Sequence, residues 1–330
     1  MPSCLHPALL SRLRSLQRST NVGFHRVATS DSGRSVRTWY RWHRTLGDRF
    51  LIVPNVTVEP LGLQHAHVFV EDARPAALVF PFAVEAAWIT PDFCREVLYL
   101  HCLVPTALLG RFPKLLQSIG KASVVWSSSG WQQLLADNEA LLLPMRVNGS
   151  GTDLLQRCPF ILPAMMELWT YPNSLPLAWH RIHRCLGSSV NRYLRRAVRQ
   201  VNGKSHITEA FHLLQKEKLL TQQVIRYHPL LAVSVEVFVL ARFGLAELTK
   251  LLSSLRRVLH AVETYPTDDG YWCRLLGPHR LLDAILGLSP EERAKLAMVH
   301  FHTKRHPTPR VRFQYERLFD PKEKRWRVRR

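Results

Sequence analysis

The stretch LLAVSVEVFVLARF, residues 230–243, decides how the fold of this chain is interpreted. Pro229 precedes it and Gly244 follows it, and these residue types often mark the borders of a helix. The stretch is apolar enough for a core element but too short and too interrupted, by Glu236, to span a bilayer. We therefore predict a helix here, and the β-branched residues leave a strand as the alternative.

The neighbouring segments favour helices for most of the second half of the chain. Residues 208–227 and 245–262 have helical patterns on both sides of the deciding stretch. Ser289, Pro290 and Glu292 match the N-cap, the first position and the N3 position of a capping box. Further helices are predicted at 90–103, at 130–143 and from Thr152 or Asp153 onward.

Strands are predicted near the two ends of the chain. Segments rich in valine and phenylalanine at 50–59, 67–71, 77–84 and 123–126 indicate short strands. The last thirty residues alternate with period two, and 298–304 could supply a third strand there. The predicted fold class is α+β, predominantly α-helical, with a small β-rich N-terminal part and a C-terminal β-hairpin or three-stranded element.

Composition and pattern together predict four parts. They are a presequence or basic arm at 1–45, a mixed α/β part of near-neutral charge at 46–160, a helical domain with a basic helix at 161–295, and a basic β tail at 296–330. Six cysteines are scattered without a C-x-x-C pair, which indicates free thiols in a reducing compartment. No apolar stretch is long enough for a transmembrane segment.

The positive charge is concentrated in blocks. The formal net charge is +20, from 45 lysines and arginines against 25 acidic residues. Residues 1–50, 166–208 and 301–330 carry almost all of the excess, while the rest of the chain is close to neutral. Concentrated charge favours a polyanionic partner, and we expect nucleic acid in preference to membrane lipid.

The amino terminus has the pattern of a mitochondrial presequence. The first 30 residues contain arginine and serine but no acidic residue, and Leu9, Leu13 and Leu16 recur at helical spacing. A disordered basic tail in any compartment is the alternative. We therefore predict a mitochondrial protein of the matrix.

Three segments are predicted to contact RNA. One helix carries four arginines at i, i+3, i+4 and i+7, which place them on one face, although acidic partners from elsewhere in the fold could neutralise that face. The arm and the tail interleave arginine with aromatic residues that can stack on bases or pack on the protein itself. The predicted residues are Arg192, Arg195, Arg196, Arg199, Arg310, Arg312, Arg325, Trp326, Arg327, Arg329, Arg37, Trp39, Arg41 and Trp42.

Catalytic patterns are weak. His65 and His67, and likewise His300 and His302, place two imidazoles on one strand face, which is ligand-like spacing without a clear third ligand. The chain has no G-x-S-x-G, no G-x-G-x-x-G and no complete P-loop. We predict no catalytic residue, no metal site, no cofactor and no enzyme.

In residues 1–49, the Arg192–Arg199 helix and the 310–330 tail, the chain resembles the lineage-specific mitochondrial proteins of kinetoplastids. The resemblance implies a component of a large mitochondrial ribonucleoprotein. We predict a structural mitoribosomal or ribosome-assembly protein that contacts rRNA and neighbouring proteins. The alternatives are an RNA-editing or mRNA-processing factor on single-stranded RNA, and a non-catalytic accessory subunit of a respiratory or ATP synthase complex.

Overall fold

The fold is seen in a computed structural model. The residues it describes are 50–91, 95–128, 133–135, 139–141, 152–170, 193, 209–210, 213–214, 216–217, 219–226, 235–255, 257–259, 261–303 and 311–327.

Fourteen strands and seven α-helices are described, with short 3-10 turns between them. The strands are β1 Phe50–Val56, β2 Leu63–Glu71, β3 Ala83–Pro91, β4 Val97–Pro105, β5 Lys121–Ser127, β6 Gln133–Leu135, β7 Glu139–Leu141, β8 Leu220–Arg226, β9 Val235–Ala241, β10 Ala261–Thr267, β11 Gly270–Gly277, β12 Leu296–Thr303, β13 Phe319–Asp320 and β14 Arg325–Trp326. The helices are α1 Phe112–Leu116, α2 Thr152–Arg157, α3 Ile161–Thr170, α4 Leu245–Ser254, α5 Arg280–Leu286, α6 Pro290–Ala294 and α7 Tyr315–Leu318. The 3-10 turns are Glu59–Leu61, Pro75–Val79 and Thr106–Arg111.

One antiparallel sheet of eight strands dominates the fold, in the order β10-β11-β9-β12-β3-β4-β2-β5. It consists of two four-stranded units that follow each other in the chain, β2 to β5 and β9 to β12. Within each unit the strands lie in the same order, second-third-first-fourth. The two units are therefore topological repeats of each other.

The sheet curls until its two edges meet. The units are joined at one seam by β12 and β3, where Phe301 pairs with Thr90. At the other seam β5 contacts β10, and the backbone N–H of Ser128 donates to the carbonyl of Pro266 at 3.0 Å. The corresponding strands, fourth of one unit and second of the other, form both seams. The result is a barrel with approximate two-fold topology, which protects the sheet edges.

Three apolar clusters fill the space around and inside the barrel. The outer face of β2 to β5 packs against α2, α3 and the tail, including Phe313 and Phe319. The outer face of β9 to β12 packs against α4 and α5. A third cluster lies inside, and it joins aromatic rings from both units: Phe69, Tyr99, Phe238 and Trp272. The inner cluster is therefore built only when the two units meet.

The deciding stretch, residues 230–243, contains a strand, and the helix predicted there is wrong. Its β9 lies between β11 and β12 and is buried on both sides. Val237 and Val239 enter the outer core, whereas Phe238 enters the inner cluster. A strand buried on both faces is apolar at nearly every position, so it lacks the alternation that would have distinguished it from a buried helix.

The predicted predominance of helices is wrong for the same reason at other places. Strand β4 replaces the second half of the helix predicted at 90–103, β6 and β7 lie within 130–143, and β8 lies in the second half of 208–227. The strand predicted at 77–84 begins in the 3-10 turn Pro75–Val79, and only Ala83 and Val84 belong to a strand, β3. The described residues form an α+β fold centred on antiparallel sheet, in which short apolar runs between turns are buried strands.

The tail also differs from its prediction. The third strand expected from 298–304 is β12, which belongs to the barrel and not to the tail. Val311 and Phe313 lie in a segment without strand pairing that leads into α7, and the hairpin that follows pairs only β13 with β14. The apolar side chains alternate because Phe313, Tyr315 and Phe319 are buried against the barrel's outer face.

The helix starts predicted from the sequence are confirmed. The Ser289 side chain accepts from the N–H of Glu292, and the Glu292 carboxylate accepts from the N–H of Ser289, which is the predicted capping box. Helix α2 begins at Thr152, and α4 begins directly after Gly244. Among the described helices, none is long and apolar enough to cross a membrane.

Gly270 closes the β10–β11 hairpin in a backbone conformation that favours glycine, with φ of 143°. A Cβ on this residue would lie 2.2 Å from the carbonyl oxygen of Ala241. This clash is with backbone of a paired strand, which cannot move away as a flexible side chain could. We expect Gly270→Ala to lower the free energy of unfolding by about 1–3 kcal/mol. Urea denaturation measures this. Gly110→Ala is the control, because no atom lies within 4 Å of its Cβ position; equal effects of the two changes would contradict the prediction.

Candidate active site

The histidine pair predicted on one strand face gains a third member from the next strand. His65 and His67 both project from β2 into the barrel, and His101 lies opposite His67 on β4. The ring centroids of His65 and His67 lie 5.0 Å and 4.9 Å from that of His101. All three imidazoles are buried. The ligand-like pair is therefore part of a three-histidine cluster at the centre of the fold.

Hydrogen bonds connect these histidines with one another and with hydroxyl groups. His65 Nδ1 and His101 Nε2 share a hydrogen bond of 2.8 Å. His67 Nδ1 meets the Tyr99 hydroxyl at 2.9 Å, and His67 Nε2 meets Ser127 Oγ at 2.9 Å. A neutral imidazole carries one N–H, so each of these contacts depends on the tautomer of its neighbour. The cluster therefore contains two hydrogen-bonded sets, His65 with His101 and His67 with Tyr99 and Ser127, which are stacked on each other through the His67 and His101 rings.

The second unit covers the cluster with aromatic rings. The ring of Tyr265, from β10, lies 5.3 Å, 5.0 Å and 5.6 Å from the rings of His65, His67 and His101. Trp272, from β11, lies 5.0 Å from His67. These contacts cross between units that are separated by more than a hundred residues along the chain. The histidine environment therefore depends on barrel closure.

Burial keeps the three imidazoles neutral. It lowers the pKa of His65 to about 3. It also lowers the pKa of His67 and of His101 well below the ordinary value, and each of them is lowered further by neighbouring imidazoles and by Arg274. Burial raises the pKa of Tyr99 and Tyr265 well above the usual phenol value. At neutral pH the cluster therefore carries no charge of its own, and its protons belong to neutral donors.

A charged cluster adjoins the histidines in the second unit. Arg274, from β11, binds three carboxylates: Glu85 at 2.8 Å, Glu236 at 3.0 Å and Glu263 at 3.5 Å. Its guanidinium also lies 5.7 Å from the centre of the Phe238 ring. The Arg274 side chain is 13% exposed, and that of Glu85 is 35% exposed. The charged cluster therefore reaches solvent through Glu85.

The charges in this cluster do not balance. Burial opposes the charge on Arg274, but attraction to Glu236, Glu85 and Glu263 outweighs it and raises the pKa of Arg274 well above its ordinary value. Burial raises the pKa of Glu263, although the attraction of Arg274 opposes this shift. One cation therefore faces three carboxyl groups, and protonation of Glu263 relieves part of the excess negative charge.

The two clusters occupy equivalent places in the two units. In the first unit His101 lies opposite His67 and Glu85; in the second, Arg274 lies opposite Phe238 and Glu263. The same register makes His65 equivalent to Glu236. A pair of hydrogen-bonded imidazoles in one unit thus corresponds to an arginine–glutamate ion pair in the other. The repeat provides two related positions with different chemistry.

The other predicted histidine pair lies on β12. The backbone of His300 pairs with Phe238, and that of His302 pairs with Glu236. Among the described residues, no set of three or more His, Cys, Asp or Glu side chains is arranged to hold a metal ion. The hydrogen bonds of the imidazoles to each other and to hydroxyl groups are the chemistry that this geometry offers.

His67 is hydrogen-bonded to both Ser127 and Tyr99. This arrangement resembles a catalytic triad, in which a base is bonded to a nucleophile and to a group that orients it. A serine nucleophile, however, requires its histidine to take up a proton, and an adjacent carboxylate stabilises that imidazolium. Tyr99 is neutral, and burial makes the protonated form of His67 unfavourable. This arrangement therefore does not support serine hydrolysis. It suits proton exchange between neutral groups.

The predicted RNA-contacting residues lie apart from the barrel interior or outside the described residues. The residues outside the described ranges are Arg37, Trp39, Arg41, Trp42, Arg192, Arg195, Arg196, Arg199, Arg310 and Arg329. Arg312 pairs with Glu316, and Arg327 pairs with Asp320 at 3.1 Å. Trp326 packs its ring against Phe319, at 5.1 Å between centroids, while the Arg325 side chain is 75% exposed. Their contact with RNA stays a prediction.

Sequence reasoning missed the residues that complete the interior. His101 lies within the segment 90–103 that is predicted as a helix, and no sequence motif marks Arg274, Tyr265 or Trp272. A usable signal was present: Glu236 interrupts an otherwise apolar run, and a charge in a buried strand requires a partner. Only the strand register shows that this partner is Arg274.

Comparison with known proteins gives a distant likeness. No protein-family model matches the chain, and no curated protein matches it. A crystal structure of the siroheme decarboxylase NirDL is similar, with a TM-score of 0.48 and 12% identity over 95% of this chain and 96% of that chain. The same decarboxylase in co-complex with an iron-uroporphyrin III analogue has a TM-score of 0.47 and 12% identity over 93% and 96%. A likeness this distant identifies no ligand and no reaction for the present chain.

These findings contradict the predicted class of protein. Both similar structures are of an enzyme, and neither is a component of a mitochondrial ribonucleoprotein. No family model, curated protein or similar structure supports the resemblance to kinetoplastid ribonucleoprotein components, the function as a structural mitoribosomal protein or the prediction of a non-enzyme, and these predictions are corrected. The RNA-processing and accessory-subunit alternatives receive no support either.

Proposed function

We propose that this protein is an enzyme that carries out proton transfer on a small molecule bound in the barrel. One observation carries the proposal: the interior joins three neutral, hydrogen-bonded imidazoles to an arginine–carboxylate cluster that reaches solvent. Groups whose pKa values are shifted in opposite directions and lie close together are typical of acid–base sites. Here burial lowers the pKa of His101 and raises that of Glu263.

The two shifts suggest a role for each group. A neutral imidazole such as His101 can accept a proton, and a carboxyl group kept protonated, as burial favours for Glu263, can donate one. Arg274 holds both Glu263 and Glu85, which lies opposite His101 in the strand register. The base on β4 and the acid on β10 would therefore come from different units of the barrel, linked through Glu85 and Arg274.

The energetic cost of the interior favours a functional role over a packing role. Apolar side chains of similar volume often replace a buried ionic group without loss of stability. This barrel instead encloses three histidines, two tyrosines, an arginine and three glutamates. Because such a network adds little to stability, a role in chemistry explains it better than packing does.

The proposal is tested by a search for turnover linked to His101. Purified protein is incubated with a panel of small metabolites, and compounds that raise its melting temperature are followed for conversion by mass spectrometry. We expect at least one such compound to be converted, and His101→Gln to lower kcat at least tenfold while the circular dichroism spectrum stays native. The control is His279→Gln, which changes an exposed histidine that precedes α5.

A repacked barrel distinguishes the structural alternative. The variant with His65, His67 and His101 all changed to leucine removes the network and keeps similar volume. If no compound stabilises the native protein and this variant is more stable than it, the imidazoles serve packing alone and the proposal fails. The mitochondrial matrix location and the polyanionic partner of the basic segments stay predictions and do not enter this test.

A further inference from the structure

Trp272 has an unsatisfied hydrogen-bond donor at the centre of the barrel. Its side chain is fully buried, and its ring contacts Phe69, Tyr99 and Phe238. No acceptor lies within hydrogen-bond distance of its Nε1–H among the residues that the structure describes. Buried indole N–H groups usually find a partner, because leaving one without an acceptor is unfavourable. This donor therefore points to an acceptor that the protein itself does not supply.

Arg274, two residues further along the same strand, repeats this feature. Its two terminal nitrogens bind carboxylates, but its Nε–H is buried and has no acceptor in the described part of the chain. Residues at i and i+2 of a strand face the same side. Phe238 contacts both, since its ring lies 6.0 Å from that of Trp272 and 5.7 Å from the guanidinium. The two unsatisfied donors thus belong to residues on the same interior face of β11, and both residues contact Phe238.

The surrounding charge restricts which acceptor suits this region. Arg274 contributes one positive charge, and Glu85, Glu236 and Glu263 lie around it. An anionic group would meet this excess of carboxyl groups and be repelled. A cation cannot accept a hydrogen bond from either N–H donor. An uncharged oxygen acceptor satisfies the donors without adding to the negative charge.

We propose that Trp272 Nε1 and Arg274 Nε bind the carbonyl oxygen of an uncharged substrate. This inference rests on the proposed function, because it identifies the substrate class of the same barrel site. The donors lie beside the histidine cluster: the Trp272 ring is 5.0 Å from that of His67. A carbonyl bound here would be adjacent to neutral imidazoles. Arg274 and Trp272 act in binding, and the imidazoles remain the proton-transfer groups.

Acetamide and acetate are suitable probes because they have nearly the same shape and differ in charge. The protein has nine tryptophans, and each gives one indole N–H resonance in a nitrogen-15 correlation spectrum. Trp272→Phe assigns the resonance of Trp272 by its disappearance. We expect acetamide to shift this resonance with a saturable dependence on concentration. Acetate at the same concentrations is expected to leave it unchanged.

One variant tests the Arg274 donor, and a second variant is its control. Arg274→Lys keeps a positive charge but removes Nε–H, and we expect it to weaken acetamide binding about tenfold, as the loss of one hydrogen bond does. Trp126→Phe is the matched control, because Trp126 lies half-buried on the outer face of β5 beside Phe112. It is expected to leave acetamide binding unchanged.

The outcomes that would overturn the inference are specific. A Trp272 resonance that responds to neither probe and shows magnetisation transfer from water means that water alone occupies the site. An equal response to acetate means that charge does not select the ligand. Either result refutes the carbonyl assignment while His101-dependent turnover can still be found. Conversely, acetamide binding without any His101-dependent turnover supports this site and refutes the proposed enzyme.

Discussion

Acidification from pH 7 to pH 5 is expected to remove most of the stability of this protein. The buried imidazoles of His65, His67 and His101 have folded pKa values below the ordinary value, which is about 3 for His65. The unfolded chain therefore binds more protons than the folded chain in this window. Stability is fully present above about pH 6.5 and is lost as the pH falls toward 3.

The size of this loss of stability follows from the number of protons that the three imidazoles bind on unfolding. Each proton changes the free energy of unfolding by about 1.4 kcal/mol per pH unit, so three give a slope approaching 4 kcal/mol per pH unit. Glu263 opposes the effect, because burial raises its pKa and it gains stability on protonation, but it is one group against three. Since domains are stable by about 5–15 kcal/mol, unfolding is expected near pH 4–5.

Urea denaturation at half-unit intervals from pH 4.5 to 8 measures this slope. His65→Gln removes one of the three titrating groups and should lower the slope by about one proton, whatever it does to stability at pH 7. His279→Gln, at an exposed position, should leave the slope unchanged. A flat profile for the native protein between pH 7 and 5 would show that the imidazoles are hydrated or already charged.

Replacing Arg274 with leucine is expected to cost about 3–5 kcal/mol at pH 7. The change leaves Glu85, Glu236 and Glu263 facing one another without their cation, and breaking a largely buried ion pair from one side has this typical cost. The carboxyl pKa values should then rise above the ordinary value. Groups with raised folded pKa values stabilise at low pH and lose that contribution as the pH rises.

The difference between Arg274→Leu and the native protein should therefore be smallest near pH 5 and largest above pH 7. Adding Glu236→Gln to the variant should restore part of the stability, because it removes one of the unpaired charges. Lys121→Ala, which breaks an exposed ion pair of 2.8 Å with Glu71, should have little effect. Equal stability of Arg274→Leu and the native protein would mean that the carboxyl groups are hydrated and not held by Arg274.

The local ends of several elements could be predicted from sequence because short-range hydrogen bonds determine them. Ser289 and Glu292 cap each other whatever the rest of the chain does, and Gly244 precedes α4 for similar local reasons. The type of a fully apolar element could not be predicted in the same way. In Val235–Ala241 the side chains on both faces of the strand are buried or half-buried, as they would be in a buried helix, so only the presence of β11 and β12 on either side selects the strand.

The same distinction between local pattern and tertiary contact applies to the candidate site. The sequence by itself determined that His65 and His67 share a strand face, because side chains alternate along a strand. It also determined that Glu236 is a charge within an apolar run. Only the tertiary structure decided that His101, thirty-six residues from His65, joins the pair and that Arg274 meets Glu236 and Glu85. Register and barrel closure set these partners, and both depend on contacts between distant strands that no local pattern specifies.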